Sequence, residues 1–529
     1  MNETVVGEKG MVVAPHRAAA EAGAEVLKAG GNAIEAMIAA AATIAVVYPH
    51  MNSIGGDAFL LIAELGKPVR AIDACGAAGS LATIERYRKA GYDEIPPRGP
   101  DAALTVAGAV SGWLLASEAA AALGGKLDRR DLLADAVRRA REGIVVSRSQ
   151  SEMAARNRED LQASPGFVEH FLVEGKAPEI GSRLVLERLS DTLDRLAHAG
   201  FDDFYRGDIA ATVAADLEEV GSPVTREDLR QHEARLVGPL TLKLDDATVH
   251  NMTAPTQGLA SLIVLGLFDR LAVKRGESFD HIHGLIEATK RAFDVRDAEI
   301  TDPRFVGDLA RFLEPSWLDE EAKLIDRKRA QPWGKNEGEG DTIWMGAIDR
   351  NGLAVSFIQS LFWEYGSGVV LPRTGILWQN RGTSFSLDPK SVNPLIPGRK
   401  PFHTLNPPLA RFTDGRVMSY GSMGGDGQPQ FQAAVFTRHA RFGMELGDAI
   451  DAPRWRLGRT WGAETAELVV ENRFDPDLVS ALAKAGHAIG VLDLAYADSM
   501  GHAGAIVRRG DGRLFGASDL RSDGAAVAA

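Results

Sequence analysis

The chain has 529 residues, a formal net charge of −13 and no concentrated basic segment, which argues against nucleic acid or an anionic membrane surface as a partner. Hydrophobic residues make up 45% and charged residues 25% of the chain, the ordinary balance of a globular protein with a sizeable core. Cys75 is the only cysteine, so a disulfide within the chain is excluded and a cysteine-based zinc site is disfavoured.

The first part of the chain is dominated by helical patterns. The start has no basic segment followed by an apolar one, so we expect no secretory signal and a soluble, cytoplasmic protein. Residues 17–48 predict two helices separated by Gly30-Gly31, with Asn32 as the N-cap of the second. The run AMIAAAATIAVVYP is too short to span a membrane and is typical of a buried helix. A turn at residues 53–57 leads into the predicted strand AFLLIAEL, and further helices are predicted at 128–145, 183–200, 258–273 and 280–299.

From residue 343 onward, strands and turns dominate. The runs IWMGAI and LAVSFI flank Asp349-Arg350-Asn351-Gly352, and the Asn-Gly pair predicts a β-hairpin because both residues accept positive φ. Further strands are predicted at GVVLP, GILWQ, RVMSYGSMGG, AELVV and AIVRR, and helices at 430–443 and 476–486. This order of elements predicts sheet layers flanked by helices.

Thr342 begins the first hairpin strand, directly after an acidic-glycine run at residues 335–341 that is the clearest break in the chain. Threonine is common in strands, so a purely structural role is one interpretation. The other is that cleavage of the Asp341–Thr342 bond makes Thr342 a chain terminus. Its hydroxyl would then be a nucleophile and its free α-amine the base. The residues alone leave both interpretations open.

The glycine cluster GSMGGDGQPQ, residues 421–430, follows a predicted strand and precedes a predicted helix. It is compatible with a phosphate loop, with a turn that needs glycine backbone angles, or with an oxyanion hole made of backbone N–H groups. The phosphate loop is disfavoured because neither Gly-Lys-Ser/Thr nor GxGxxG is present.

The segment HIHGLIE holds the strongest candidate metal ligands, His281, His283 and Glu287. His283 and Glu287 share a helix face, but His281 points elsewhere and no further ligand is evident. A structural role is therefore favoured, and we expect neither a metal nor another cofactor. A GxSxG motif is absent, so an α/β-hydrolase is not supported.

Five blocks, in order from about residue 11 to the end, resemble the γ-glutamyltransferase family of N-terminal-nucleophile hydrolases: SIGGDAFLLI, HGLIEATKRAFDVRDAEITDPRF, DTIWMGAIDRNGLAVSFIQS with GSGVV, PGRKPFHTLNPPLA, and GSMGG. The resemblance implies an α+β fold of the αββα type, with two stacked, mainly antiparallel sheets flanked by helices. It also implies a proenzyme that cuts itself into a large subunit, residues 1–341, and a small subunit, residues 342–529. These two subunits are the expected protein partners, and a dimer of such heterodimers is one expected assembly.

The resemblance also implies roles for individual residues. Thr342 matches the family nucleophile, which places the cleavage site at Asp341–Thr342. Ser360 matches a hydroxyl that supports the nucleophile, and Gly424 and Gly425 match the glycines of the oxyanion hole.

The departures from the family pattern concern the substrate pocket. Cys75, or a neighbour in DACGAAGS, replaces an arginine of relatives that handle glutathione, and Phe362 and Ser384 replace an asparagine and an acidic residue. His403 and Thr404 replace a pair of serines. Losing the anchors of a buried charged group costs several kcal/mol of binding. These departures imply that the chemistry is retained and that amino-acid recognition is lost.

A small amide with one carboxylate therefore fits the expected pocket better than a glutamyl chain, since Phe362, Trp363 and Trp378 would narrow it. The blocks FHTLNP and GSMGGDGQPQ are most similar to the oxamate-hydrolysing branch of the family, which implies release of ammonia from oxamate in ureide and purine catabolism. Arg381 is the candidate partner of the substrate carboxylate, because arginine binds carboxylates bidentately. A structural ion pair is an equal alternative for Arg381.

Two rival functions stay open. One is a γ-glutamyl hydrolase or transpeptidase that recognises its substrate with different residues. The other is a non-catalytic binding protein on the same fold that remains uncut.

Overall fold

The computed structural model describes residues 3–333, 341–458 and 467–529. Most of the acidic-glycine run before Thr342 lies outside the described residues, so the division into residues 1–341 and 342–529 remains a prediction. Within the described residues, no helix combines the length and the apolar character needed to cross a membrane.

The strands that the structure describes are mostly short. In chain order they are β1 (Val5–Gly7), β2 (Gly10–Ala14), β3 (Asp57–Ala63), β4 (Arg70–Ala74), β5 (Ile144–Val145), β6 (Arg183–Leu184), β7 (Arg235–Val237), β8 (Leu240–Lys243), β9 (Ala247–Asn251), β10 (Asp341–Asp349), β11 (Ala354–Phe362), β12 (Leu409–Phe412), β13 (Val417–Ser422), β14 (Trp455–Arg456), β15 (Leu468–Val470), β16 (Ile489–Val491), β17 (Ala503–Arg508), β18 (Leu514–Ser518) and β19 (Ala525–Ala528).

The helices are concentrated before residue 323. They are α1 (Arg17–Lys28), α2 (Ala33–Val47), α3 (Ile84–Lys89), α4 (Ala109–Ala122), α5 (Arg129–Glu142), α6 (Arg148–Arg156), α7 (Arg158–Leu161), α8 (Phe167–Phe171), α9 (Glu187–Ala199), α10 (Asp203–Arg206), α11 (Asp208–Val220), α12 (Arg226–Gln231), α13 (Gly258–Arg270), α14 (Phe279–Glu299), α15 (Pro315–Ala322), α16 (Gly427–Phe436), α17 (Leu446–Asp451) and α18 (Pro476–Lys484). Short 3₁₀ turns cover Leu309–Leu313, Arg381–Ser384 and Asp498–Met500, and a π-helical turn, Thr437–Arg441, follows α16.

Two seven-stranded sheets form the centre of the molecule. The hairpin sheet has the order β19-β2-β10-β11-β3-β4-β7, and the second sheet has the order β1-β18-β17-β13-β12-β9-β8. All neighbouring strands within each sheet are antiparallel. Helices α1, α2 and α4 pack on the outer face of the hairpin sheet, and α13 and α16 pack on the second sheet. The predicted αββα sandwich is confirmed.

The two sheets meet through an apolar layer around Trp344. The Trp344 indole is buried, and its Nε1 donates to Ser356 Oγ at 2.9 Å. Gly421 on the facing sheet leaves room for the ring, because a Cβ there would lie 2.2 Å from it. Ser419 Oγ donates across the same layer to the Val355 carbonyl oxygen at 2.9 Å. Close contact between the sheets fixes the end of β10 relative to the loop after β13.

The predicted hairpin is present as β10 and β11. Asp349 Oδ1 accepts hydrogen bonds from the N–H groups of Asn351 and Leu353 at 2.8 and 3.1 Å, and Gly352 has φ +79°. At the open end, Asp341 pairs with Phe362, whereas Ile343 pairs with Gln359. The register shift leaves two β11 residues, Ser360 and Leu361, opposite Thr342, which is the pattern of a β-bulge. Bulges commonly redirect a side chain near a functional site.

Most other predicted elements are confirmed within a few residues, including the Asn32 cap, which forms a capping box with Glu35. The predicted strands GVVLP and GILWQ are wrong: these segments form only isolated bridges, Val370 to Leu377 and Gly55 to Trp378. Their backbone groups bond to loops instead, as when the Gln379 N–H donates to the Gly55 carbonyl oxygen at 3.1 Å. Apolar, β-branched composition alone did not reveal that these segments lack a sheet edge to join.

Candidate active site

Thr342 lies at the bulged end of β10 with its side chain fully buried. Its Oγ1 donates to Ser360 Oγ at 3.2 Å across the hairpin. Ser360 Oγ also accepts the Phe362 N–H at 2.8 Å. The hydroxyl of Thr342 therefore points into a small polar site formed by the ends of two central strands.

Phe362 is the last residue of β11, and its backbone has a conformation that residues other than glycine rarely adopt. Its φ is +85°, and such a conformation costs about 1–3 kcal/mol and persists where the surrounding structure enforces it. The turn places the Phe362 ring directly beneath Arg381, whose guanidinium carbon lies 3.2 Å from the ring centroid. The strained residue thus supports the cation expected to bind substrate.

Gly424 and Gly425 form the loop between β13 and α16, with φ values of +121° and +51°. The Gly424 carbonyl oxygen accepts the Gly427 N–H at 2.7 Å, and the Gly425 carbonyl oxygen accepts Gln257 Nε2 at 2.8 Å. Within the described residues, no acceptor is bonded to the N–H of Gly424 or Gly425. Backbone N–H groups in such a turn are suited to stabilise a developing oxyanion.

Arg381 is 1% exposed, in the 3₁₀ turn after the segment WQN. Its Nη1 donates to Thr404 Oγ1 at 3.3 Å, while its Nε has no hydrogen-bond partner in the described part of the chain. No carboxylate among those residues lies within ion-pair distance of it. Burial lowers the pKa of Arg381 to about 9, although Cys75, Asp57 and Asp426 act in the opposite direction. An incompletely compensated, buried guanidinium is suited to an anionic ligand.

Asp57 and His403 form a buried pair beside this cation. His403 Nε2 lies 3.1 Å from Asp57 Oδ2, and Asp57 Oδ1 accepts the N–H groups of Gly76 and Gly108 at 3.0 Å each. Burial raises the pKa of Asp57 to about 7, and these N–H donors and the Arg381 charge act in the opposite direction. Burial also lowers the pKa of His403 well below its usual value, so its imidazole is neutral at physiological pH.

The remaining predicted pocket residues differ in what they offer a ligand. Ser384 Oγ donates to the carbonyl oxygens of Arg381 and Phe402, at 3.0 Å each, so it braces the turn that carries Arg381. Thr404 contacts Arg381 directly. Cys75 is buried, and burial raises the pKa of its thiol. Trp378 is buried with Nε1 donating to the Thr105 carbonyl oxygen at 2.9 Å.

Among the residues that the structure describes, two groups of side chains have ligand atoms close enough to one another to hold a metal ion. The first is Asp57, Cys75 and His403. His403 Nε2 and both Asp57 carboxylate oxygens have the partners described above, whereas His403 Nδ1 has no hydrogen-bond partner among the described residues. The sequence gives no metal-ligand motif there. The arrangement serves instead to join β3, the loop at residues 75–76 and the start of α4.

The second group is His283, Glu287 and His487. His487, after α18, supplies the further group that the sequence did not reveal. His283 Nε2 faces the Asp326 carbonyl oxygen at 2.8 Å, so its Nδ1 accepts from His487 Nε2 at 2.9 Å. Glu287 accepts from Lys290 Nζ at 2.7 Å. The ring nitrogens of His283 and the Glu287 carboxylate thus have hydrogen-bond partners within the protein. His281 points elsewhere, to Thr437 Oγ1 at 2.9 Å, as predicted.

Comparison with known proteins identifies the family of this site. The family described as gamma-glutamyltranspeptidase matches residues 19–529. The chain belongs to the γ-glutamyltranspeptidase family. This confirms the resemblance seen in the sequence and the prediction that the chain is an amidohydrolase.

Two curated relatives align with this chain over their full lengths. The oxamate amidohydrolase proenzyme of Klebsiella pneumoniae subsp. pneumoniae is 53% identical, with 100% of both chains covered. The glutathione hydrolase-like YwrD proenzyme of Bacillus subtilis is 39% identical, also with 100% of both covered. The crystal structure of a cephalosporin acylase from Bacillus halodurans superposes with a TM-score of 0.91 at 32% identity, covering 100% of this chain and 97% of that one.

Sequence reasoning within the γ-glutamyltranspeptidase family missed several residues at this site. Asp57 lies in the block SIGGDAF, directly after two glycines, and Gln428 directly follows GSMGGDG. Both residues therefore lie in sequence blocks that indicated the family, although their types and spacing predicted no role for them. Gln257 was missed too, although its Nε2 donates hydrogen bonds to the carbonyl oxygens of both Thr404 and Gly425 at 2.8 Å. Nothing in the sequence around Gln257 indicated this role, because its partners are more than a hundred residues away.

Proposed function

We propose that the protein is a self-processing amidohydrolase that hydrolyses oxamate, a small amide carrying one carboxylate, to oxalate and ammonia through an acyl-enzyme on Thr342. The observation that supports this most is the state of Arg381. It is a buried cation without a carboxylate partner among the described residues, and it lies on Phe362. Phe362 pairs with Asp341, the residue before the nucleophile. One carboxylate beside a scissile amide fits that arrangement.

Self-processing begins with the Thr342 hydroxyl. Its oxygen attacks the carbonyl carbon of Asp341, the O–C bond forms, and the C–N bond breaks as the nitrogen takes up a proton. Water then opens the resulting ester, leaving the carboxylate of Asp341 and a free α-amine on Thr342. That amine is the base that a threonine nucleophile needs at neutral pH.

Turnover uses the same oxygen. The α-amine takes the hydroxyl proton, Oγ attacks the substrate amide carbon, and the N–H groups of Gly424 and Gly425 stabilise the oxyanion. The α-ammonium returns the proton to the leaving nitrogen as the C–N bond breaks, which releases ammonia. Water, deprotonated by the same amine, then cleaves the ester and releases oxalate while Oγ recovers its proton.

A γ-glutamyl substrate is less well served by these residues. Its head group carries an amine as well as a carboxylate, and burying either charge unpaired is costly. Ser384, at the position of the family's acidic residue, gives its hydroxyl proton to backbone carbonyl oxygens. The 53% identity to an oxamate amidohydrolase proenzyme also supports the smaller substrate.

The test measures both self-cleavage and the formation of products from oxamate. Intact mass of the purified protein should give two chains whose sum equals the precursor plus one water. Ammonia and oxalate should then appear in equal amounts from oxamate. An uncut chain that releases neither product would overturn the proposal.

A further inference from the structure

Gln428, in the first turn of α16, is fully buried, and the mechanism above gives it no role. Its Nε2 lies 3.5 Å from Thr342 Oγ1. That distance is at the long limit for a hydrogen bond, but contacts to reacting groups often shorten when a substrate binds. Gln428 thus brings a side-chain amide into contact with the proposed nucleophilic oxygen.

The direction of the Gln428 amide is fixed by a chain of hydrogen bonds that starts at the backbone, here called the amide relay (Asn251, Asn406 and Gln428). Asn251 Oδ1 accepts the Met252 N–H at 2.8 Å, so Asn251 Nδ2 is the atom that donates to Asn406 Oδ1 at 3.3 Å. The amide of Asn406 thus has only one consistent orientation.

The next step of the amide relay orients Gln428. Asn406 Nδ2 donates to the Thr404 carbonyl oxygen at 2.9 Å and to Gln428 Oε1 at 3.0 Å. Because Oε1 is the acceptor in that bond, Nε2 is the atom directed at Thr342. Backbone groups at Met252 and Thr404 thereby determine, through the side chains of the amide relay, that Thr342 Oγ faces an N–H donor rather than a carbonyl oxygen.

We propose that Gln428 is a catalytic residue that donates to Thr342 Oγ while that oxygen carries negative charge. The inference rests on the proposed function, in which Oγ is the attacking atom. A hydrogen bond to the charged form of a group stabilises that form. As the hydroxyl proton passes to the α-amine, Nε2–H stabilises the oxygen that attacks, and it does so again when Oγ leaves the acyl carbon. Gln428 keeps its own protons throughout.

The first test removes the donor. In Gln428→Met, kcat for oxamate per cleaved chain should fall about 100-fold or more, since loss of one preorganised donor costs about 100- to 1,000-fold in kcat. The KM should change little, because Gln428 does not bind the substrate carboxylate. Gln430→Met is the matched control: Gln430 lies on the same helix, but its Nε2 donates to the carbonyl oxygens of Asp426 and Leu457 at 3.0 and 2.8 Å.

The second test replaces the N–H donor that faces Thr342 by an acceptor oxygen and keeps a side chain of the same length. In Gln428→Glu, the atom facing Thr342 donates only while the carboxyl group is protonated. The kcat should therefore fall as pH rises through that pKa, whereas in the wild type it rises as the α-amine loses its proton. Asn406→Asp should reduce kcat similarly. An oxygen would replace Asn406 Nδ2, so the Gln428 amide would rotate to donate its Nε2–H to that oxygen and would present Oε1 to Thr342.

The outcomes separate this inference from the function on which it rests. Wild-type kcat in Gln428→Met, or an equal loss in Gln430→Met, would overturn the role of Gln428 and leave the nucleophile in place. A Thr342→Ala variant that still releases ammonia would instead overturn the proposed function. A pH profile of Gln428→Glu that rises like that of the wild type also contradicts the inference.

Discussion

Thr342 Oγ1 lies 3.2 Å from Ser360 Oγ, across a hairpin whose register shifts by one residue at that point. The shift turns the Thr342 side chain toward the adjacent strand end, where the Phe362 N–H already holds Ser360 Oγ at 2.8 Å. Ser360 in turn pairs with Asp57 on β3. The hydroxyls of Thr342 and Ser360 and the buried Asp57 carboxylate therefore belong to neighbouring strand ends, β10, β11 and β3, at one edge of the hairpin sheet.

Replacing the proposed nucleophile should abolish processing and turnover together. Thr342→Ala should remain a single chain on denaturing electrophoresis and release no ammonia from oxamate, because both reactions use the same oxygen. Thr342→Ser, which keeps a hydroxyl and an α-amine, is the control and should still give two chains. N-terminal sequencing of the smaller wild-type chain should begin TIWMG, and any other start contradicts the cleavage site.

Loss of the supporting hydroxyl should slow both reactions without stopping them. In Ser360→Ala, the Phe362 N–H and Thr342 Oγ lose a shared partner, so we expect self-cleavage and kcat to fall about 10-fold or more. Time courses of precursor disappearance and of ammonia release measure the two rates. A mature Ser360→Ala enzyme with wild-type kcat would remove Ser360 from the site.

Local signals in the sequence predicted the elements that position Thr342. Alternating apolar residues around Asn351-Gly352 specify the hairpin, and Asn32 followed by Glu35 specifies the start of α2. In both cases the deciding contacts span four residues or fewer. The family resemblance then supplied the sandwich that joins these local elements.

The parts of the site that depend on distant contacts could not be predicted in this way. Asp57 is held by residues 19, 51 and 346 positions away. The direction of the Gln428 amide depends on Asn406, 22 positions away, and ultimately on a backbone group near residue 252. Neither a residue type nor its spacing reveals which way a buried amide points.

Removing the proposed carboxylate partner should affect binding and spare processing. In Arg381→Ala, the KM for oxamate should rise about 30-fold or more, since loss of one partner of a buried charge pair costs about 2–5 kcal/mol. Self-cleavage should proceed normally, because it involves no substrate carboxylate. Arg399→Ala is the matched control: Arg399 is also buried, but it bonds to Thr301 Oγ1 and the Val392 carbonyl oxygen. A wild-type KM in Arg381→Ala would show that another group binds the carboxylate.

The lowered pKa of Arg381 predicts an alkaline limit to activity on oxamate. Because burial lowers that pKa to about 9, the guanidinium loses its charge as pH rises through that value. The kcat/KM for oxamate should therefore decline above pH ~9. Oxamide, which has no carboxylate, is the comparison substrate, and its kcat/KM should not show this decline. Parallel profiles for the two amides would mean that Arg381 is not the group that titrates.

The most direct test of the whole account is the ratio of two specificity constants measured on the mature wild-type enzyme. One is kcat/KM for ammonia release from oxamate, and the other is kcat/KM for anilide release from a γ-glutamyl anilide. Arg381 supplies one cation, while Ser384 is engaged with backbone carbonyl oxygens, so the account predicts that oxamate is preferred by about 100-fold or more. Equal constants, or a preference for the γ-glutamyl substrate, would contradict it.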